Sequence, residues 1–475
     1  MRLPLSLLAA TLILLLLVPG TSGQPISGFA HDMLTCVDAT PDGLYLAGGY
    51  SSSFGVGETA AIVCLLDASG QTRWVMDHDT EWWDETADVM ADLSGRYWLA
   101  GATRPNEGLF DWLVCKFDAH GRTLWSRIYF EDYPSAAVSL VSDGEDGAYV
   151  LGFVEIDDVK QVGLLHLAAD GDVLWTYTSE FVEHHDPSSL ARTPAGNLIV
   201  ASQQNANDDF ASDIHVLSFD RDGAPLWDYL HAQPWVQRCA GVDVTTAGEI
   251  LVAGSTVADT VSEETDGMLL KLSPAGKLLW ERQSEHAGRD RWLDVTIVTG
   301  DSALVCGVEQ DPVTLSKRAV LKLLALDGSS VWKRSYSFQQ HAEFTAITGS
   351  SSAEFMAVGF ADPDEPWMTD YLIASATGVS ANVPAQLPAT MQLLAYPNPA
   401  NSRMRLEFTI SRSSDMIITL SNVLGQRVST IAFGRFTAGT HRLPVSLHQL
   451  ASGNYFVEVT GSDVQSTPLR VVVVK

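Results

Sequence analysis

Positive charge is scarce in this sequence: 29 Lys and Arg stand against 58 Asp and Glu, giving a formal net charge of −29. A surface of that sign repels nucleic-acid phosphates and anionic lipid headgroups, so neither is an expected partner, and stable membrane insertion is not expected. Cysteine is scarce too. Cys36, Cys64, Cys115, Cys239 and Cys306 are odd in number and never arranged as C-x-x-C, so they read as neither a metal site nor a disulfide framework, with a single disulfide left open. Each lies in an apolar stretch and is expected to be a small buried hydrophobe. The one long apolar run, Leu5 to Val18, ends at Pro19 and Gly20. It is shorter than the ~20 residues of a membrane span. It reads as a secretory signal peptide, residues 1–23, cut before Gln24. With the first cysteine at Cys36, a lipoprotein anchor is not expected. Helical periodicity, H-E-x-x-H, G-x-S-x-G and phosphate-binding glycine loops are missing as well.

What is present is a repeat. The stretch KLSPAGKLLWER at residues 271–282 returns as DAHGRTLW, AADGDVLW and DRDGAPLW. Its glycine recurs at Gly70, Gly121, Gly171, Gly223, Gly276, Gly328 and Gly378, with spacings of 51, 50, 52, 53, 52 and 50. A second ruler lies about twenty residues upstream of each, an apolar pair closed by a small residue at Gly48, Gly101, Gly152, Ser202, Gly254, Gly307 and Gly359. Each period holds four β-patterned segments separated by turn residues, as in DVMADL, GRYWLAGAT, DWLVCKFD and TLWSRIYF. Seven such units over residues 24–383 predict a seven-bladed β-propeller, in preference to a β-solenoid, whose coils are shorter. The glycine is expected to close the turn between the third and fourth strands. The tryptophan four residues on (Trp74, Trp125, Trp175, Trp227, Trp280, Trp332) is expected to open the outer strand and seal one blade against the next. The seventh unit has Asn382 where the others have Trp, so Pro25 to Phe29 are expected to supply or complete the outer strand of the last blade.

Residues 384–393 read as a linker and 394–475 as a small Ig-like β-sandwich, since five alternating segments replace the repeat. Here YPNPAN (Tyr396, Pro397, Asn398, Pro399 and on to Asn401), NVLGQRV around Gly425, AGTH around Gly439, LASGNYFV around Gly453 and a terminal basic residue closely resemble the type A C-terminal sorting domain of type IX secretion. The resemblance implies a chain that crosses the periplasm, is carried over the outer membrane by the type IX machinery, and is released or held at the cell surface, commonly with this domain removed. The sequence departs from the pattern at RLPVSLHQ, residues 442–449, where many relatives carry a Trp-Asp or Trp-Asn pair. The repeat region is similar to propeller repeats that often precede such domains and that have no agreed activity.

No motif for chemistry stands out. The Asp box of sialidases sets Asp two residues before Gly and an aromatic three after, whereas Asp118, Gly121 and Trp125 are spaced three and four apart. Quinoprotein repeats place Trp four residues after Gly, but enzymes of that kind typically form eight blades and many add a Cys pair that is absent here. His184, His185 and Asp186 form a cluster without further ligands at fixed spacing and read as a polar rim. DGEDG at 143–147 and DRDG at 220–223 lack the downstream Glu of an EF-hand and read as turns.

Two functions remain. One is a non-catalytic surface or secreted binding or adhesion module for carbohydrate, protein or cell envelope; the other is an extracellular hydrolase or lyase with dispersed carboxylates in the central channel. The loops joining second to third strands lie on the face of the blade-to-blade connections, and they look long, dissimilar and acidic, with 16 acidic and 3 basic residues. Asp157, Asp158, Asp208, Asp209, Glu263, Glu264, Asp362, Asp364 and Glu365 are therefore candidates for binding calcium or a cationic partner, with Trp367 as a stacking surface. The competing reading is that these carboxylates only solvate the surface. No cofactor is expected beyond that calcium.

Overall fold

A computed structural model describes residues 32–475 except 53–58, 79–82, 105–107, 182, 206–211, 234–235, 258–264, 285–287, 299–301, 338–340, 352–353, 362–369, 376–377, 382–392, 402, 411–413, 424–426, 437–438, 449, 462–463 and 466–468. The described residues are all-β. Seven antiparallel sheets, each of four strands in chain order, occupy residues 32–78, 83–129, 135–178, 184–231, 237–283, 290–336 and 342–381, here blades one to seven. The first strand of each blade packs against the first strand of the next, and Asp32–Ala39 packs against Ala342–Ser351, so the sheets close a ring with first strands innermost. The result is a seven-bladed β-propeller.

The interior is divided rather than single. One apolar cluster fills each joint between neighbouring blades. At the closing joint, Leu34, Val37 and Tyr45 meet Met356, Val358 and Tyr371. Closure at that joint is thus made by side-chain packing, and it is joined by a hydrogen bond from Thr345 Oγ1 to the Leu34 carbonyl (2.7 Å).

The glycine and tryptophan of the repeat act on each other across these joints. The six glycines from Gly70 to Gly328 have φ between 73° and 86°, the left-handed region that favours glycine. Trp74, Trp125, Trp175, Trp227 and Trp280 each lie against the turn of the following blade: a Cβ on Gly276 would come within 2.5 Å of Trp227, and one on Gly121 within 3.2 Å of Trp74. The indole N–H groups of Trp125, Trp175 and Trp280 donate to the carbonyls of Ala169, Arg221 and Leu326 in the next blade at 3.1, 3.3 and 3.1 Å. A glycine is therefore needed twice over, for backbone conformation and for room.

The second ruler also has a steric cause. Every first strand skips a residue in its pairing at one equivalent place, at Thr35, Ala87, Val138, Ser188, Ala240, Leu293 and Thr345. This bulge drives a carbonyl of the first strand toward the second. A Cβ on Gly101, Gly254, Gly307 or Gly359 would sit 2.0 to 2.1 Å from that carbonyl oxygen. In blade one the role falls to Gly49, one residue beyond the Gly48 of the ruler.

The seventh blade builds its own outer strand, Gly378–Ala381, which pairs with Asp370–Ser375. Pro25 to Phe29, expected to supply or complete this outer strand, lie outside the described residues. With no tryptophan at this joint, Ile373 packs over Gly70.

The C-terminal unit pairs a three-stranded sheet with a larger one built on Ser414–Asn422 and Gly453–Gly461. Its separate core includes Leu406, Phe408, Ile418, Leu420, Val457 and Val471. All five cysteines of the chain are buried and free. Burial pushes the Cys64, Cys115 and Cys239 thiols up to about 12.

Candidate functional site: the loop face of blades five and six

Few of the acidic candidates fall on described residues. Asp157 and Asp158 do, and they are exposed, but the connection they occupy is short: Ala148–Ile156 and Val159–Leu167 are joined by these two residues alone. Their φ values of 52° and 63° make a two-residue hairpin turn in which both positions are left-handed, a geometry that selects Asn, Asp or Gly. Turn chemistry thus accounts for this acidic pair, and the loop is not long, as its sequence had suggested. Asp208, Asp209, Glu263, Glu264, Asp362, Asp364, Glu365 and Trp367 lie outside the described residues. Among the described residues no group of three His, Cys, Asp or Glu side chains is placed to hold a metal ion.

On the same face the structure builds a cavity of about 380 Å³ between blades five and six. Four cations line it: Arg238, Arg289, Arg291 and Lys317. Val257 and Val308 supply apolar wall, and Thr265 and Gln310 supply neutral polar groups. No carboxylate is among its described lining residues. Arg238 and Arg291 come from the first strands Gln237–Val244 and Asp290–Val298, and Lys317 opens the third strand of blade six. Arg289 is held at the rim because its carbonyl accepts the Gln310 N–H at 3.0 Å. Behind the cavity, Glu343 of blade seven is buried and sits 2.9 Å from the Arg291 guanidinium. Thr265 Oγ1 is buried with no hydrogen-bond partner. Counting charge only in the second-to-third loops missed this cluster, because three of its four cations sit on the blade-to-blade side of the same face.

The central channel carries the carboxylates that an enzyme would need, and they are occupied. Asp38, Asp88, Asp243 and Asp294 lie on first strands, half-buried, and accept N–H groups of the next blade: Ala91 at 3.1 Å, Leu140 at 2.9 Å, Ile297 at 2.7 Å and Ile347 at 2.9 Å. Ser139 and Ser189 make the equivalent bonds to Leu190 and Val242, both at 3.2 Å. Burial raises Asp38 and Asp294 to about 7 and Asp88 and Asp243 to about 6, against the pull of these N–H donors. Their first duty is to fasten blade to blade.

Of the histidine cluster, His185 turns inward, while His184 and Asp186 stay half-buried. His185 is buried beneath Phe181 (ring centroids 4.0 Å apart), and its Nε2 meets His215 Nδ1 at 3.1 Å, while His215 Nε2 meets Asp228 at 3.1 Å. Burial lowers the His185 pKa. Asp186 faces Lys160 at 2.8 Å and Asn205 at 3.0 Å.

In the C-terminal unit the YPNP stretch clips the last strand. Asn398 donates its amide N–H to the Arg470 carbonyl (2.8 Å) and accepts the Val472 N–H (2.9 Å), imitating a strand partner for Leu469–Val473. Arg405 lies over the Tyr396 ring at 6.0 Å. Ala400, after Pro399, continues the pairing with Val472 and Val474 at 2.8 Å each. The Lys475 ammonium donates to the His448 carbonyl at 2.6 Å. Gly439 and Gly453 open strands, and Gly425 lies outside the described residues.

Residues 394–474 match the family described as the secretion system C-terminal sorting domain. They are a type IX sorting domain. The sorting domain marks the protein for export to the cell surface or the extracellular space and implies an encounter with the type IX secretion machinery. No curated protein matches the sequence. Among solved structures the chain is similar to the Pan2 WD40 domain of Neurospora crassa (12% identity, 72% of this chain and 89% of that one, TM-score 0.47). It is also similar to the acylaminoacyl peptidase of Pyrococcus horikoshii (9% identity, 81% of this chain and 58% of that one, TM-score 0.46). A third is a protein of unknown function from Bacteroides caccae (13% identity, 60% and 94% coverage, TM-score 0.29). Among the described residues no helix is long and apolar enough to cross a membrane.

Proposed function

We propose that the propeller is a non-catalytic binding module for an extracellular carbohydrate or protein, delivered by its sorting domain. The cavity between blades five and six carries this reading. It sits where the blades differ from one another, on a frame whose repeated parts are spent on joining blades. A second reading, a hydrolase or lyase acting in the channel, draws on the four channel carboxylates, whose raised pKa values suit proton transfer near neutrality. Their engagement with backbone N–H groups of the next blade favours the structural role. The test is a glycan and peptide array screened with the mature full-length chain, followed by incubation of each hit. A hit retained unchanged supports the binding module, and a hit that is consumed establishes the enzyme in its place.

A further inference from the structure

The seven inner strands allow a comparison that needs no second protein. Two residues before each bulge, the ring places Met33, Glu85, Ala136, Asp186, Arg238, Arg291 and Glu343 at one equivalent position near the loop face. The fold accepts Met or Ala there, so it does not require a cation. Arginine nevertheless occupies the position in two adjacent blades, and Arg289 and Lys317 converge on the same cavity from other parts of the chain. Four of the 29 basic residues of a chain with net charge −29 thus surround one hollow. Among the described residues, Glu343 meets Arg291 from behind the cavity.

From this geometry we infer that the cavity binds an oxyanion borne on a sugar, a carboxylate as in a uronate residue or a sulfate ester, which rests on the binding-module reading above and specifies its ligand. Guanidinium groups present planar forks that match a carboxylate or sulfate. The buried Thr265 hydroxyl, which has no partner, and the Gln310 amide offer hydrogen bonds to sugar hydroxyls, and Val257 and Val308 offer an apolar wall to a ring face. At about 380 Å³ the cavity is near the small end of the ~300–1,000 Å³ range of ligand pockets. The ligand is a short segment or chain end, because the surrounding negative charge opposes a long polyanion laid across the face.

Calorimetry on the mature full-length chain tests this with tri-galacturonate, its methyl ester, galactotriose and galactose 6-sulfate as probes. Tri-galacturonate or the sulfated sugar should bind, at least tenfold tighter than the uncharged ester and the neutral trisaccharide, and the stronger of the two identifies the oxyanion. Raising the salt from 0.05 to 0.5 M should weaken that binding several-fold, as for any charge-driven contact. The Arg238→Gln/Lys317→Gln variant should lose at least tenfold in affinity while melting within a degree or two of the parent, and Arg127→Gln, a substitution outside the cavity, should lose none. Equal binding of charged and neutral probes overturns the inference, as does oxyanion binding that the cavity variant leaves intact, or no binding of either oxyanion probe. If instead the array finds a neutral ligand whose binding the cavity variant abolishes, the oxyanion chemistry falls and the binding module stands.

Discussion

The two faces of the ring are made from opposite kinds of sequence. On the turn face, TPDG, DASG, TPAG and AADG repeat nearly unchanged, their glycines Gly43, Gly70, Gly196 and Gly171 hold left-handed conformations, and Gly171 leaves room for Trp125 of the preceding blade. On the loop face, equivalent positions hold Met33, Ala136, Glu343 or Arg238, and there the cavity forms. Repetition marks what every blade must do to join its neighbour. Variation marks what no joint requires, and so what is free to meet a ligand.

The hardest test of this contrast strikes the repeated face. Trp227→Ala removes a half-buried ring packed on the Gly276 turn and should cost about 2–3 kcal/mol, below the ~3–5 kcal/mol of a fully buried aromatic. Gly276→Ala should cost ~2 kcal/mol or more, since it adds a Cβ within 2.5 Å of Trp227 at a φ of 73°. Denaturant melts of both variants check this. If ligand binding at the loop face drops more steeply than stability does, the two faces are not independent.

A smaller effect concerns the belt of channel carboxylates. Burial lifts Asp38, Asp88, Asp243 and Asp294 from 3.8 to about 6 or 7. The folded ring therefore holds protons that the unfolded chain has released, so this stabilisation is complete below about pH 4 and is lost as pH rises through 6 to 7. Melting temperature should fall between pH 5 and pH 8, by on the order of a few degrees given that the groups are only half-buried. General repulsion within a chain of net charge −29 acts in the same direction. The Asp88→Ser/Asp294→Ser variant separates the two, because serine already makes this bond at Ser139 and Ser189. It should flatten the slope, and a slope that stays the same assigns the effect to overall charge.

The smallest effect tests the acidic hairpin. Asp157→Asn/Asp158→Gly places the residues most favoured in a two-residue turn with both φ positive, and should change stability by no more than ~0.5–1 kcal/mol, toward the stable side. Array binding should be untouched. Loss of a hit would restore Asp157 and Asp158 as ligand contacts.

Much of the fold was legible because its constraints are local and recur. A glycine with positive φ, a tryptophan four residues later and a small residue opposite a bulge each leave a mark in every unit, so the period could be read without knowing what the marks touched. The C-terminal motifs were legible for a related reason: Asn398 clips the last strand through bonds that only an amide side chain makes at both ends. The partner of each mark was not legible. Nothing in GKLLW says that Trp280 donates to Leu326 of the following blade, or that Ile373 takes over where tryptophan is missing. The acidic loops misled for a physical reason, since Asp157 and Asp158 answer to backbone geometry before charge.

By itself the sequence determined the seven units, the order of strands within them, the sandwich and its destination, because turn sterics, β-patterning and the sorting motifs are written in contiguous residues. Only the tertiary structure decided that the acids of the channel fasten blades together and that Arg238, Arg289, Arg291 and Lys317 share one cavity. Those four cations are spread from residue 238 to residue 317 across two blades, and no local preference couples them. They meet because ring closure fixes the angle between neighbouring sheets, which brings the loop-side ends of blades five and six together around a shared hollow.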